Sequence, residues 1–96
     1  MDKETNEGAT PLFISAELGK TEIVKFLVTE GKAEVDKTDN DGFTPLYTSV
    51  EKGFTEIAAL LFRGGANPNQ AAGNGWTPLR LAKGYKHQAI VALLEQ

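Results

Sequence analysis

Cysteine is absent from the 96 residues, which excludes a disulfide scaffold and any thiolate metal site. The one histidine, His87, leaves little material for an imidazole metal site or a catalytic triad. Excess positive charge is also missing: 10 Lys+Arg stand against 13 Asp+Glu, for a formal net charge of −3. A nucleic-acid binder normally carries a basic face, so that class is disfavoured. No apolar run approaches the roughly 18 residues of a membrane span. Met1 to Glu7 show neither an apolar signal region nor a myristoylation glycine. These absences set the expectation of a soluble, cytoplasmic chain with no membrane attachment. What is present is ordinary globular composition, 41% hydrophobic with 10 Gly. The length suits one small domain over 1–96 with a modest core.

Self-similarity organises the chain. Thr-Pro-Leu occurs at Thr10, Thr44 and Thr77, at offsets of 34 and 33 residues. Gly8, Gly42 and Gly75 each precede it by one intervening residue, and Gly-x-Thr-Glu-Ile follows at Gly19 and again at Gly53. The pattern Ile-x-x-[Phe/Leu]-Leu recurs as Ile23/Phe26/Leu27, Ile57/Leu60/Leu61 and Ile90/Leu93/Leu94.

Each unit has a physical reading. A Thr hydroxyl caps a free helical N–H, and Pro at the first helical position gives up no hydrogen bond. Gly19 and Gly53 end the short helix that follows, because glycine accepts the left-handed conformation. Thr21 and Thr55 are expected to cap a second helix, with Glu22 and Glu56 near its positive end. The Ile-x-x-[Phe/Leu]-Leu spacing lines one face of that helix, and Gly31 and Gly65 close it. The connecting stretches from Lys32 to Gly42 and Ala66 to Gly75 hold the Asp, Asn and Gly that suit turns. Helices of about ten residues do not stand alone, so the units must stack.

This pattern resembles the ankyrin repeat, a turn followed by two antiparallel helices at a period of about 33. The resemblance implies an all-α solenoid of three helix-turn-helix units joined by hairpin loops, at about 5–38, 39–71 and 72–96. It has departures. Where the family usually carries His after Thr-Pro-Leu, this sequence has Phe13, Tyr47 and Arg80. One residue is inserted near Lys32; in the third unit Gly84 replaces the expected small helical residue and Lys86 the loop Gly, so the first helix of that unit is expected to end early. Arg80, Lys83, Gln88 and Glu95 give that unit the polar look of a C-terminal cap. The first unit instead shows apolar Phe13 and Ile14. Either residues ahead of Met1 are missing, or Met1 to Glu7 fold over that face.

Chemistry is sparse. Asp36, Asp39 and Asp41 ahead of Gly42 resemble part of a calcium loop, but the loop pattern then places Lys37 first and Thr48 twelfth, where acids belong. Gly73-Asn74-Gly75 lacks the third glycine and the Lys of a phosphate loop. Asn69 holds the position of the Asn sometimes hydroxylated in the family, and is read as a brace of its hairpin. No catalytic residue, metal or cofactor is expected.

Surface recognition remains. The resemblance implies a protein partner held by the hairpin tips and the concave face of the first helices. The residues it carries over are Asn6, Glu7, Ala9, Glu17 and Leu18, then Asn40, Asp41, Phe43, Glu51 and Lys52, then Gly73, Asn74, Trp76 and Tyr85. Phe43 and Trp76 share a phase, so stacking should bring them close on one face, and exposed aromatics suit a hot spot. Asp39, Asp41, Glu7 and Glu51 favour a basic or amide-rich partner. Phe13 and Tyr47 are expected inside the stack. The leading reading is a monomeric protein-binding module without catalysis. The others are a C-terminal cap or spacer of a longer array, and a regulatory part of a larger enzyme or channel.

Overall fold

Every Thr-Pro pair starts a helix in the computed structural model, which describes residues 8–31 and 33–96. The hydroxyls of Thr10, Thr44 and Thr77 accept the N–H groups of Phe13, Tyr47 and Arg80, each at 3.1 Å. These caps open α1 (Pro11–Leu18), α3 (Pro45–Lys52) and α5 (Pro78–Tyr85). Gly19 and Gly53 close α1 and α3 in the left-handed region, at φ 77° and 76°.

The third unit corrects an expectation. Lys86 takes the same left-handed position at φ 61°, and α5 runs its full 8 residues, as α1 and α3 do. A Cβ there costs about 1–2 kcal/mol. Two closing bonds offset it: Lys86 N–H to the Lys83 carbonyl at 3.1 Å and His87 N–H to that of Ala82 at 3.0 Å. The same pair of bonds closes α3.

The second helices are α2 (Thr21–Thr29), α4 (Thr55–Arg63) and α6 (Gln88–Leu94). Thr21 and Thr55 lie inside them and do not cap them. The cap positions are Lys20, Phe54 and His87, at ψ 77°, 84° and 79°, with no side-chain cap bond. The loop geometry fixes the start one residue early: the Lys20 and Phe54 carbonyls already accept from Val24 and Ala58.

Helices α1, α3 and α5 lie side by side in one layer, and α2, α4 and α6 form a second layer behind them. The short dimension of 18 Å fits two helix layers. Leu12, Ala16, Val24, Leu46, Val50, Ile57, Leu61, Leu81, Ala82, Ile90 and Leu94 form the buried core between them. Among the described residues no helix is long and apolar enough to cross a membrane.

The apolar face of α2 is not the buried face that its periodicity implies. Ile57 and Ile90 are each 1% exposed, whereas Ile23, in the same phase, is 49% exposed and Phe26 is 60% exposed. Leu27 is half-buried at the edge of the core, in contrast to the fully buried Leu61. Pairs two and three each have a helix pair in front of them; among the described residues the first pair has none. At the opposite end Arg80, Lys83, Gln88 and Glu95 are all exposed, and Lys83 Nζ sits 3.0 Å from a Glu95 carboxylate oxygen. That surface ion pair adds little stability, about 1 kcal/mol at most, but it keeps the end polar.

Candidate binding surface

The tips of the connecting turns set the surface. In the turn at Asp39 to Gly42, the Asp39 N–H donates to the Phe43 carbonyl at 3.0 Å and the Gly42 N–H to the Asp39 carbonyl at 3.1 Å. One Asp39 carboxylate oxygen accepts from the Asp41 and Phe43 N–H groups, at 2.9 and 3.0 Å. Asp39 is buried, so the bracing is internal and presents no charge at the surface. In the next turn Ala72 stands in its place, and the backbone bonds are kept, Ala72 N–H to the Trp76 carbonyl at 2.8 Å and Gly75 N–H to that of Ala72 at 2.9 Å. Asn74 Oδ1 supplies the bracing there, accepting from the Trp76 N–H at 3.0 Å.

Each braced turn fixes the aromatic residue that leaves it. Phe43 lies half-buried against Tyr47, four residues on, with ring centroids 5.0 Å apart. Trp76, 38% exposed, is capped by the Arg80 guanidinium, also four residues on, 4.6 Å above its ring. The two aromatics thus lie on one side, as their phase requires, but each packs within its own unit and they form no ring pair with one another.

Between them run two neighbouring clefts. The first, about 230 Å³, is lined by Phe13, Glu17, Phe43, Tyr47, Thr48, Glu51 and Asn74. The second, about 360 Å³, is lined by Tyr47, Glu51, Asn74, Trp76, Leu81, Gly84 and Tyr85. Tyr47, Glu51 and Asn74 belong to both, so the clefts join into one groove across α1, α3 and α5. The Asn74 amide donates to the Tyr47 hydroxyl at 3.1 Å and ties turn to helix at the junction.

The groove gathers Phe43, Trp76, Asn74, Glu51 and Tyr85 from the residues expected at a partner surface. Asn40 and Asp41 are exposed at the turn tip beside it. Leu18 and Lys52 are exposed at the ends of α1 and α3 and line neither cleft. Glu7 and Lys32 lie outside the described residues. Phe13 and Tyr47 are buried, as expected of the stack, yet they also floor the first cleft. Two acids of the calcium-like stretch, Asp36 and Asp39, bind backbone: Asp36 accepts the Asn67 N–H at 3.0 Å, a link of one repeat to the next. Beyond it, Asn67 Oδ1 accepts the Asn69 N–H at 2.9 Å, so Asn67 supplies the side-chain brace in that loop.

The family model for ankyrin repeats, in three copies, matches residues 1–72. The chain belongs to the ankyrin-repeat family. No curated protein sequence matches it. The family match ends ahead of α5, and the third ankyrin-type pair is recognised from its geometry: the same Thr cap, the same Pro at the helix start and the same left-handed closure. Ankyrin repeats generally mediate contacts between proteins.

Proposed function

We propose that this ankyrin-repeat chain is a protein-binding module that holds its partner along the groove across α1, α3 and α5, with no catalysis of its own. The observation that carries the reading is the continuity of the two clefts, with partly exposed Trp76 on the wall and the Asn74–Tyr47 bond at their junction. Glu17 and Glu51 inside the groove and Asp41 beside it favour a basic partner. In this reading the chain is one domain of three units, near 5–38, 39–71 and 72–96, that works in the cytoplasm as a monomer without cofactor. The polar end at Lys83 and Glu95 gives a second copy little apolar surface for head-to-tail stacking.

Phe43→Ala combined with Trp76→Ala tests it. Hot-spot truncations cost about 2 kcal/mol or more, so partner affinity should fall at least about thirtyfold while far-UV circular dichroism is retained. Unchanged affinity in a folded double variant removes the groove from consideration.

A second reading is favoured by the opposite surface. Ile14, Ile23 and Phe26 form an exposed apolar face on α1 and α2, at the side where pairs two and three each receive another pair. That face suits a chain that caps a longer array, alone or as the regulatory part of an enzyme or channel. Hydrogen exchange on the 96-residue chain discriminates: the reading expects α1 and α2 to exchange much faster than α3 and α4. Equal protection of the two pairs counts against it.

A further inference from the structure

The groove is not chemically uniform, and the difference follows repeat phase. Glu17, Glu51 and Gly84 occupy equivalent positions in the three units. Two carboxylates therefore line the first cleft, over a floor that includes the Phe13, Phe43 and Tyr47 rings. In the third unit no side chain stands there, and Trp76 lies against the glycine: a Cβ on Gly84 would make ordinary contact with the indole ring, at 3.5 Å. The second cleft shares Glu51 with the first and so keeps one carboxylate, but it takes its remaining wall from Trp76, Leu81, Gly84 and Tyr85 in place of a second one. Among the described residues neither Glu17 nor Glu51 is in an ion pair, so no lysine or arginine from those residues already satisfies them.

Resting on the groove as the partner site, we infer that the first cleft receives the cationic side chain of a lysine or arginine, and the second a large apolar side chain, from one extended segment of a partner protein. A neutral or apolar group in the first cleft would strip water from two carboxylates without compensation, and an anion would be repelled. A cation is paired by the carboxylates, in a cleft also lined by aromatic rings that favour a cation. The clefts straddle successive repeat seams, so they are offset by one helix-to-helix step of about 10 Å. Extended chain rises about 3.3 Å per residue. The basic and apolar residues of the ligand therefore stand about three positions apart.

The test is selection of binders from a random-peptide display library on the intact chain, followed by titration of the selected peptides. Selected sequences should pair Lys or Arg with a large apolar residue at about that spacing. Glu17→Gln with Glu51→Gln, both at surface-accessible positions, should weaken binding by about tenfold or more and flatten its salt dependence. Exchanging the peptide's basic residue between Lys and Arg should keep binding, because charge is what the cleft reads. Exchange for Met should abolish it. Peptides without basic residues, or Met peptides that bind as well, overturn the inference. If the Gln variant binds normally while the Phe43/Trp76 double variant does not, the cation site fails and the groove survives. If both variants bind normally, the groove itself is not the site.

Discussion

Leu61→Ala lowers the unfolding free energy by about 2–5 kcal/mol, the range for truncating a buried leucine. Leu61 is 0% exposed in the last turn of α4, with helix pairs on either side, so its neighbours cannot collapse into the space left. A domain of this size holds on the order of 5–10 kcal/mol in total, so the variant should be partly unfolded at 37 °C. Ile23→Ala is the matched contrast. It removes the same kind of apolar side chain from the same helix face, but from a half-exposed site, and should cost less than about 1 kcal/mol. Urea denaturation of the two variants beside the parent checks both figures. Equal losses would mean that the first pair is covered as fully as the second. Leu27→Ala should fall between them, since Leu27 is half-buried.

Gly73→Ala is expected to be the most damaging change at a turn. A Cβ at Gly73 collides with the Asp41 carbonyl oxygen of the neighbouring turn, and one at Gly42 would lie 2.9 Å from the Gly73 nitrogen. The two turns meet backbone to backbone, so there is no flexible side chain to yield. The tips must separate, at a cost of about 1–3 kcal/mol. Asp41 and Asn74 move with them, so the groove should lose partner affinity beyond what the stability loss explains. Gly84→Ala gives the opposite sign. It lies inside α5, its Cβ would make ordinary contact with Trp76, and it should gain about 0.5–1 kcal/mol from helix propensity. Thermal denaturation midpoints that rank Gly73→Ala level with the parent would show that the turns are not in contact.

Helix starts at Thr10, Thr44 and Thr77 were legible because a cap and a following proline act within three residues, and nothing distant overrides them. Thr21 and Thr55 carry the same kind of signal and mislead, because the backbone of Lys20 and Phe54 has already begun the helix. Burial was less legible than periodicity. Ile23, Ile57 and Ile90 share one repeat phase, and the presence of another pair in front separates the covered two from the open one. The Lys86 closure shows the same limit: the sequence registers a missing glycine, while the hydrogen bonds that hold the helix to full length belong to the assembled turn.

The groove was half legible. Repeat phase put Phe43 and Trp76 on one side, and they line adjoining clefts. It did not reveal that each ring is engaged by its own unit, at Tyr47 and at Arg80, because that depends on side-chain direction at the mouth of a helix. Phe13 and Tyr47 read as interior because bulk and position after Thr-Pro-Leu point inward. A cleft floor is both interior and reachable, and a linear pattern does not separate the two. Leu18 and Lys52 read as surface, correctly, yet they sit outside both clefts, since the exposed end of a first helix extends past the groove.

Both clefts of the groove straddle joints between successive pairs. With the groove as the proposed partner site, selectivity would be kept in the seams. Duplicating a unit would insert a new seam, and with it a fresh recess, without rewriting those already there, which lets such a chain acquire preferences one joint at a time.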